Sequence, residues 1–402
     1  MLVAARYSGD DSVEVFRRPL TLRQRLRERM RKEIISRQHA SYQSTRPPYF
    51  DSFSDDRASG ATALRTAPVD VVANLHLISD FVDHRPFFRS IPRHAPVVWT
   101  LHDMAPFTGG CNYAVDCERF VARCGACPTL GSSRAGDLSR HIFQRRARAY
   151  GGLATAAVRI VSPSKWMARE AMRSSLLGRF ALAVIPYGID TEAFQPRSRQ
   201  TARAVFGIPD DMRIVMFVSQ YLGNPRKGFD LLIAALKDLN VGHRVGLLSI
   251  GVGDTRLAGQ VPQPHFAIGE LKSERLLSFA YSAADVFVMP SRGDNLPNVL
   301  LEAISTGTPA VGFDVGGVSE VVRPGITGLL APRSDVRQLR EAIEEMLRND
   351  AKRRELATQC RRIAVAEYAL GIQAERYRDL YHEMLDAAAR QRERGVAEGD
   401  RV

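Results

Sequence analysis

The sequence predicts an α/β protein built from two Rossmann-like, doubly wound domains facing a central cleft. Three observations predict it. The length, 402 residues, exceeds what one core needs. Short β-branched runs alternate with amphipathic helical patterns, the mark of a parallel sheet wrapped by helices. That alternation occurs twice, on either side of a segment mixing Gly, Pro and charge. A composition 45% hydrophobic and 25% charged excludes global disorder. No stretch reaches the roughly 18–20 apolar residues of a membrane span, and no signal-peptide core opens the chain, so a cytoplasmic location is expected.

Taken in order, the chain starts unusually. Of the net charge of +12, much lies in Arg17–Arg37, where nine basic residues stand against Glu28 and Glu33 and Leu20, Leu22, Leu26, Met30, Ile34 and Ile35 recur at near-helical spacing. Such a basic amphipathic helix suits the anionic cytoplasmic face of an inner membrane, and equally a solvated domain edge. Nucleic acid is not an expected partner, because no reader motif accompanies the charge. Val69–His76, Pro96–His102, Val158–Ser164 and Leu182–Gly188 read as strands of the first half, and Tyr187–Arg199 as the linker. The second half reads as strands Ile214–Gln220, Val245–Gly251, Asp285–Ser291 and Pro309–Phe313, with helices near 229–239, 273–283 and 297–306. A largely helical tail runs from about 335 to 390. The expected divisions are residues 1–190, 191–368 and a C-terminal helix and tail, 369–402.

Residues just past the carboxyl ends of such strands are the ones to examine for function. Pro290–Val322 is the most specific segment: a strand delivers Ser291 and Arg292, a loop carries Asp294 and Asn295, and a helix is expected from about Leu296 and Pro297. Free N–H groups at a helix start bind a diphosphate, and a proline there costs no hydrogen bond. Asp294 precedes the helix and Glu302 lies within it, so one carboxylate can serve a sugar and the other a ribose. After the first strand of this half, Arg226 and Lys227 precede Gly228, cations placed to meet phosphates. In the first half, Trp99–Gly110 puts His102 and Asp103 at a strand end, with His76 after its own strand as a structural hydrogen-bonder.

With Asp294, Glu302 and the Thr306-Gly307-Thr308-Pro309 turn, the sequence resembles glycosyltransferase family 4 of the retaining GT-B enzymes, from about Val69 to Tyr381. Asp294 stands where the family usually has Glu, and Gln220, Tyr221 and Leu222 stand where it usually has an Arg before the Lys, a role Arg226 can take. The resemblance implies the GT-B fold, a nucleotide-sugar donor, a glycan or lipid-linked acceptor, and no cofactor for catalysis. It also implies roles: His102 at the reacting end, Arg226 and Lys227 on the diphosphate together with the helix start at Asn295 and Leu296, Asp294 on the sugar and Glu302 on the ribose. Retaining transfer in one oxocarbenium-like step chiefly positions groups and stabilises charge, so no nucleophile is expected. Glu270, Ser164 and Lys165 are further cleft candidates. The family opens with a strand, a Gly-rich loop and a helix, whereas Met1 begins what reads as a second strand, so the expectation is either a true start upstream or a truncated protein.

Cys111, Cys117, Cys124 and Cys127 form C-x5-C-x6-C-x2-C, while Cys360 stands alone. In a reducing compartment this pattern means either a structural zinc knuckle or free thiols that pack. The surrounding Phe107–Ser132 segment resembles a subset of family 4 acting on exopolysaccharide or lipid-linked oligosaccharides. The rival class is a catalytically impaired GT-B-like adaptor with a zinc knuckle and a basic membrane- or nucleic-acid-binding helix.

Overall fold

The computed structural model describes residues 71–78, 82–92, 95–253 and 259–399, with isolated positions before residue 71. The helix expected over Arg17–Arg37 lies mostly outside the described residues; of its apolar positions, Leu22, Leu26 and Met30 are exposed. Of the opening run that reads as a second strand, Leu2–Val3 forms a two-residue strand paired in parallel with Glu14–Val15, in a two-stranded sheet of its own.

The chain forms two compact units, one of Met1–Pro163, Met167–Val184 and Arg378–Val402, the other of Ser164–Trp166 and Ile185–Tyr377. In the first, strands β1 (Ala73–Leu75), β2 (Val97–Thr100), β3 (Val158–Ser162) and β4 (Ala181–Val184) pair in parallel and in chain order. All four residues of β2 are buried, as expected of a parallel strand covered on both faces. Helices His84–Ser90 and Leu138–Tyr150 begin at Asp83 and Asp137, whose carboxylates accept from Arg85 N and Arg140 N. Their inner faces bring Phe88 and Tyr150 edge-on to each other, and Tyr150 edge-on to Trp99 of β2 at 5.2 Å between ring centres.

The second unit holds β5 (Arg213–Tyr221), β6 (Val245–Val252), β7 (His265–Gly269), β8 (Val286–Met289), β9 (Ala310–Phe313) and β10 (Gly328–Ala331), in the spatial order β10-β9-β8-β5-β6-β7. Read by position in this unit, that is 6-5-4-1-2-3, the order of a doubly wound nucleotide-binding sheet. Winding reverses between β5 and β8, so the loops leaving these two neighbours diverge and open a crevice beyond their carboxyl ends. The core is continuous, with Met216, Leu247, Phe287, Leu300, Val311 and Ile343 fully buried.

Tyr187–Arg199, expected as a linker, is built into this unit. Ile189 N donates to Tyr368 O at 2.7 Å, and Arg361 donates to Thr191 O and Phe194 O. Its Gly, Pro and charge mark a path held by hydrogen bonds to its carbonyls rather than a free tether. The tail is helical as patterned, over Val336–Arg348, Asp350–Tyr368 and Leu370–Gly399.

Candidate functional site

The chemistry-bearing residues of the second unit gather at the crevice between β5 and β8. After β5 the chain makes a tight turn, Pro225–Lys227, with the Asn224 side chain accepting from Arg226 N. It then passes through Gly228 at φ 74°, where an added Cβ would stand 1.9 Å from the Pro290 carbonyl oxygen. Only glycine both adopts this conformation and lets the loop lie on the end of β8. Arg292 N donates to Arg226 O at 2.8 Å, tying the two loops together. From behind, Gly317 N donates to Asp294 O, and a Cβ on Gly316 would meet that oxygen at 1.8 Å.

This scaffold aims two cations at one carboxylate. Lys227 Nζ lies 2.6 Å and Arg226 Nη1 2.9 Å from Asp294 Oδ2, and Ser291 Oγ reaches the same oxygen at 3.4 Å. Asp294 is only 6% exposed. Burial pushes its carboxyl up, but Lys227 and then Arg226 outweigh burial and hold it below the ordinary range. It is ionised at neutral pH, with both cations converging on it. Arg292 is taken up by Asp230 in a two-pronged pair at 2.9 and 2.6 Å.

The expected helix start needs correction. The helix runs Asn298–Ser305, with Pro297 extended at its N-cap and no side chain capping it. A residue before proline is driven from helical backbone, so Asn295 and Leu296 lie in the approach to the helix. Leu296 is buried in the core, and Asn295 Oδ1 accepts from Ser164 Oγ at 2.6 Å. Glu302 lies inside the helix as predicted, where Tyr281 OH donates to its Oε2 at 2.7 Å. Burial holds the Glu302 carboxyl above its usual range. Tyr281 and the Gly316-Gly317 backing were not singled out from the sequence, although the glycine pair was its own signal. Glu270 is exposed beyond β7.

In the first unit, His102 follows β2 and pairs with His76, which follows β1: Nε2 and Nδ1 are 2.9 Å apart. Burial first, and His76 second, lower His102 to about 4, so the ring is neutral at physiological pH. Between pH 6.5 and 4 the unfolded chain therefore binds a proton that the folded one refuses. This contribution is complete above pH 6.5 and is lost as pH falls towards 4, with a slope of up to about 1.4 kcal/mol per pH unit. In His102→Gln, urea titrations across this window should show a shallower loss of stability than wild type. Equal slopes would contradict the assignment.

The loop after His102 is pinned by the buried Arg146, which donates to Ala105 O and, at 2.9 Å, to Thr108 O, and by Tyr150 OH on Pro106 O. It carries Cys111, Cys117, Cys124 and Cys127, all free thiols, Cys117 being half-buried and the others buried. Among the described residues no group of three or more His, Cys, Asp or Glu side chains is set to hold a metal ion. Cys360 is buried apart, against Thr327 O.

Residues 212–349, which include Arg226, Lys227, Asp294 and Glu302, match the family model of glycosyl transferases group 1. The chain is 34% identical over 183 residues to a D-inositol 3-phosphate glycosyltransferase of Mycolicibacterium smegmatis, covering 42% of this chain and 40% of the relative. To one of Mycobacterium tuberculosis it is 34% identical over 184 residues, covering 41% and 36%. It thus spans two fifths or less of these curated relatives. Among solved structures it resembles sucrose-phosphate synthase from Thermosynechococcus elongatus, at 24% identity and TM-score 0.59, over 73% of this chain and 69% of that one. It also resembles Anabaena HepE in complex with UDP-glucose, at 17% identity and TM-score 0.55, over 74% of each chain. Together with the two parallel sheets, the structural likenesses show that the chain has the GT-B fold, and residues 212–349 are similar to the glycosyl transferases group 1 model.

Proposed function

We propose that this protein is a retaining glycosyltransferase of family 4, moving a sugar from a nucleotide-diphosphate sugar to a glycan or lipid-linked acceptor in polysaccharide biosynthesis. The observation that carries the reading is the convergence of Lys227 and Arg226 on the buried Asp294 at the crevice between β5 and β8. A donor diphosphate is the natural anion there. It takes over the two cations, and Asp294, released from them, accepts hydrogen bonds from sugar hydroxyls. Glu302 accepts from the ribose, and the uncapped start of Asn298–Ser305 offers backbone N–H groups to the phosphates.

In the reaction, the bond between the anomeric carbon and the phosphate oxygen breaks as the acceptor hydroxyl adds on the same face. The departing phosphate oxygen takes the hydroxyl proton. Lys227 and Arg226 offset the charge that develops on the diphosphate, the dominant kind of stabilisation in such transfers, and no metal is invoked. His102, neutral, offers a hydrogen bond at the reacting end without adding charge. No described helix is long and apolar enough to cross a membrane. We place the protein in the cytoplasm, with Arg17–Arg37 supporting peripheral contact with an anionic inner-membrane face.

The test is the product. Incubation with donor and a panel of acceptors, namely a glycan, a polyprenyl-linked sugar and D-inositol 3-phosphate, followed by NMR of the new linkage, should give the donor's own anomeric configuration on a glycan or lipid-linked acceptor. An inverted linkage would overturn the retaining mechanism, and transfer to the inositol phosphate alone would overturn the acceptor class.

A further inference from the structure

The stretch from Leu101 to Asp137 is long for a segment with no strand or α-helix of its own. Its regular structure is three short turns, Ala105–Phe107, Arg119–Val121 and Pro128–Leu130. Loops of this length in compact domains need a device to hold them. Met104, Phe107 and Phe120 are buried, whereas the cluster around the sulfurs is Cys111, Cys127, Leu130 and Ile142, so half of it is cysteine. The loop is nevertheless held in costly conformations. Val115 at φ 52° and Ala126 at φ 45° are non-glycine residues in the left-handed region, one of them β-branched.

Three features of the sulfurs explain what does the holding. All four line one cavity of about 10 Å³, walled also by Gly109 and Phe120, room for roughly a single water-sized occupant. Backbone N–H groups are directed at three of them: Gly109 N to Cys124 Sγ at 3.1 Å, Arg119 N to Cys117, and Thr129 N to Cys127, while Leu130 N donates to the Cys127 carbonyl oxygen. The fourth, Cys111, is directed at Thr129 Oγ1 at 3.8 Å and faces Cys127. Amides placed two residues after Cys117 and Cys127 and turned back onto the sulfur are what a ligating thiolate requires, since they fix its direction and offset its charge. A buried thiol serving only as a small hydrophobe needs none of them.

From this we infer that Cys111, Cys117, Cys124 and Cys127, whose side chains are not set as a ligand group without the ion, close on one zinc ion as a tetrahedral, structural tetrathiolate that staples the loop following His102. Binding converts the thiols to thiolates and releases their protons to solvent, and four sulfurs leave no position for a substrate or water. The site is independent of the donor crevice, so it stands or falls apart from the proposed activity.

The full chain, purified under reducing conditions with zinc present and then freed of loose metal, is treated with a mercurial, and released zinc is read with a chromogenic chelator. One zinc per chain is expected, unchanged in Cys360→Ser. In Cys117→Ser and Cys124→Ser, retained zinc should fall by more than the roughly tenfold that loss of an outer-shell partner costs. Should these variants misfold, the wild-type protein loaded with cobalt decides the matter: the intense visible bands of tetrahedral cobalt with four sulfurs are expected. An octahedral spectrum, one with fewer than four sulfurs, less than a tenth of a zinc per chain, or a Cys111–Cys127 disulfide in place of metal would overturn the inference.

Discussion

Lys227→Ala should lower kcat for sugar transfer by roughly 10²–10³-fold, the usual cost of removing one preorganised donor to developing charge, about 3–4 kcal/mol in the transition state. The ammonium sits 2.6 Å from Asp294 Oδ2 before any donor arrives, so its position is paid for by the fold rather than at the moment of reaction. The variant should stay folded, because Arg226 still pairs with Asp294 at 2.9 Å and no buried carboxylate is left bare. Lys227→Arg should recover part of the rate, since it keeps the charge but not the shape. Steady-state kinetics of nucleoside diphosphate release check this; a kcat within about threefold of wild type would remove Lys227 from the reaction.

Asp285→Ala should destabilise the second unit by about 3–5 kcal/mol, as expected when one member of a buried ion pair is removed. The Asp285 side chain is fully buried just before β8, accepting from Arg199 Nη2 at 2.7 Å, Arg203 Nη2 at 3.0 Å and Ile214 N at 2.8 Å. Arg203 is itself 1% exposed; its other donors go to Ala283 O, Pro209 O, Asp210 O and Met212 O. Carbonyls satisfy its N–H groups but do not neutralise it, and burial already lowers its pKa. Arg199, with a side chain 42% exposed, should cost under about 1 kcal/mol as Arg199→Ala. Urea unfolding of the two variants gives the comparison, and similar small losses in both would show that Asp285 is not the keystone. Because β8 leads directly to Ser291–Asp294, the fault should also weaken donor binding.

Much of this was legible in one sequence. The doubly wound fold follows from buried runs such as Val286–Met289 recurring between helical patterns; Lys227 and Asp294 were singled out because they stand beyond strand ends, and Glu302 because it lies in the helix that follows Asp294. Partner choice was not legible. The ion pairs of Arg226 and Lys227 with Asp294 depend on two loops approaching through Gly228 and Gly316, a contact that spacing along the chain does not encode. The His76–His102 pair likewise arises from the parallel register of β1 and β2. The helix start was displaced because a proline can stand either inside the first turn or just before it, and here the extended backbone at Pro297 selects the second. Tyr187–Arg199 follows directly on the passage between the units at Val184–Ile185, but glycine, proline and charge do not show which arginine will bind its carbonyls.

The central claim is that the crevice beyond β5 and β8 binds a nucleotide-sugar through its diphosphate. Calorimetric titration of wild-type protein with a panel of nucleotide-sugars tests it most directly, with Glu302→Ala and Lys227→Ala alongside. The account predicts saturable binding of one sugar nucleotide, weakened in both variants, with the free nucleoside diphosphate competing. Absence of binding across the panel, or binding that both variants retain at full affinity, would contradict it.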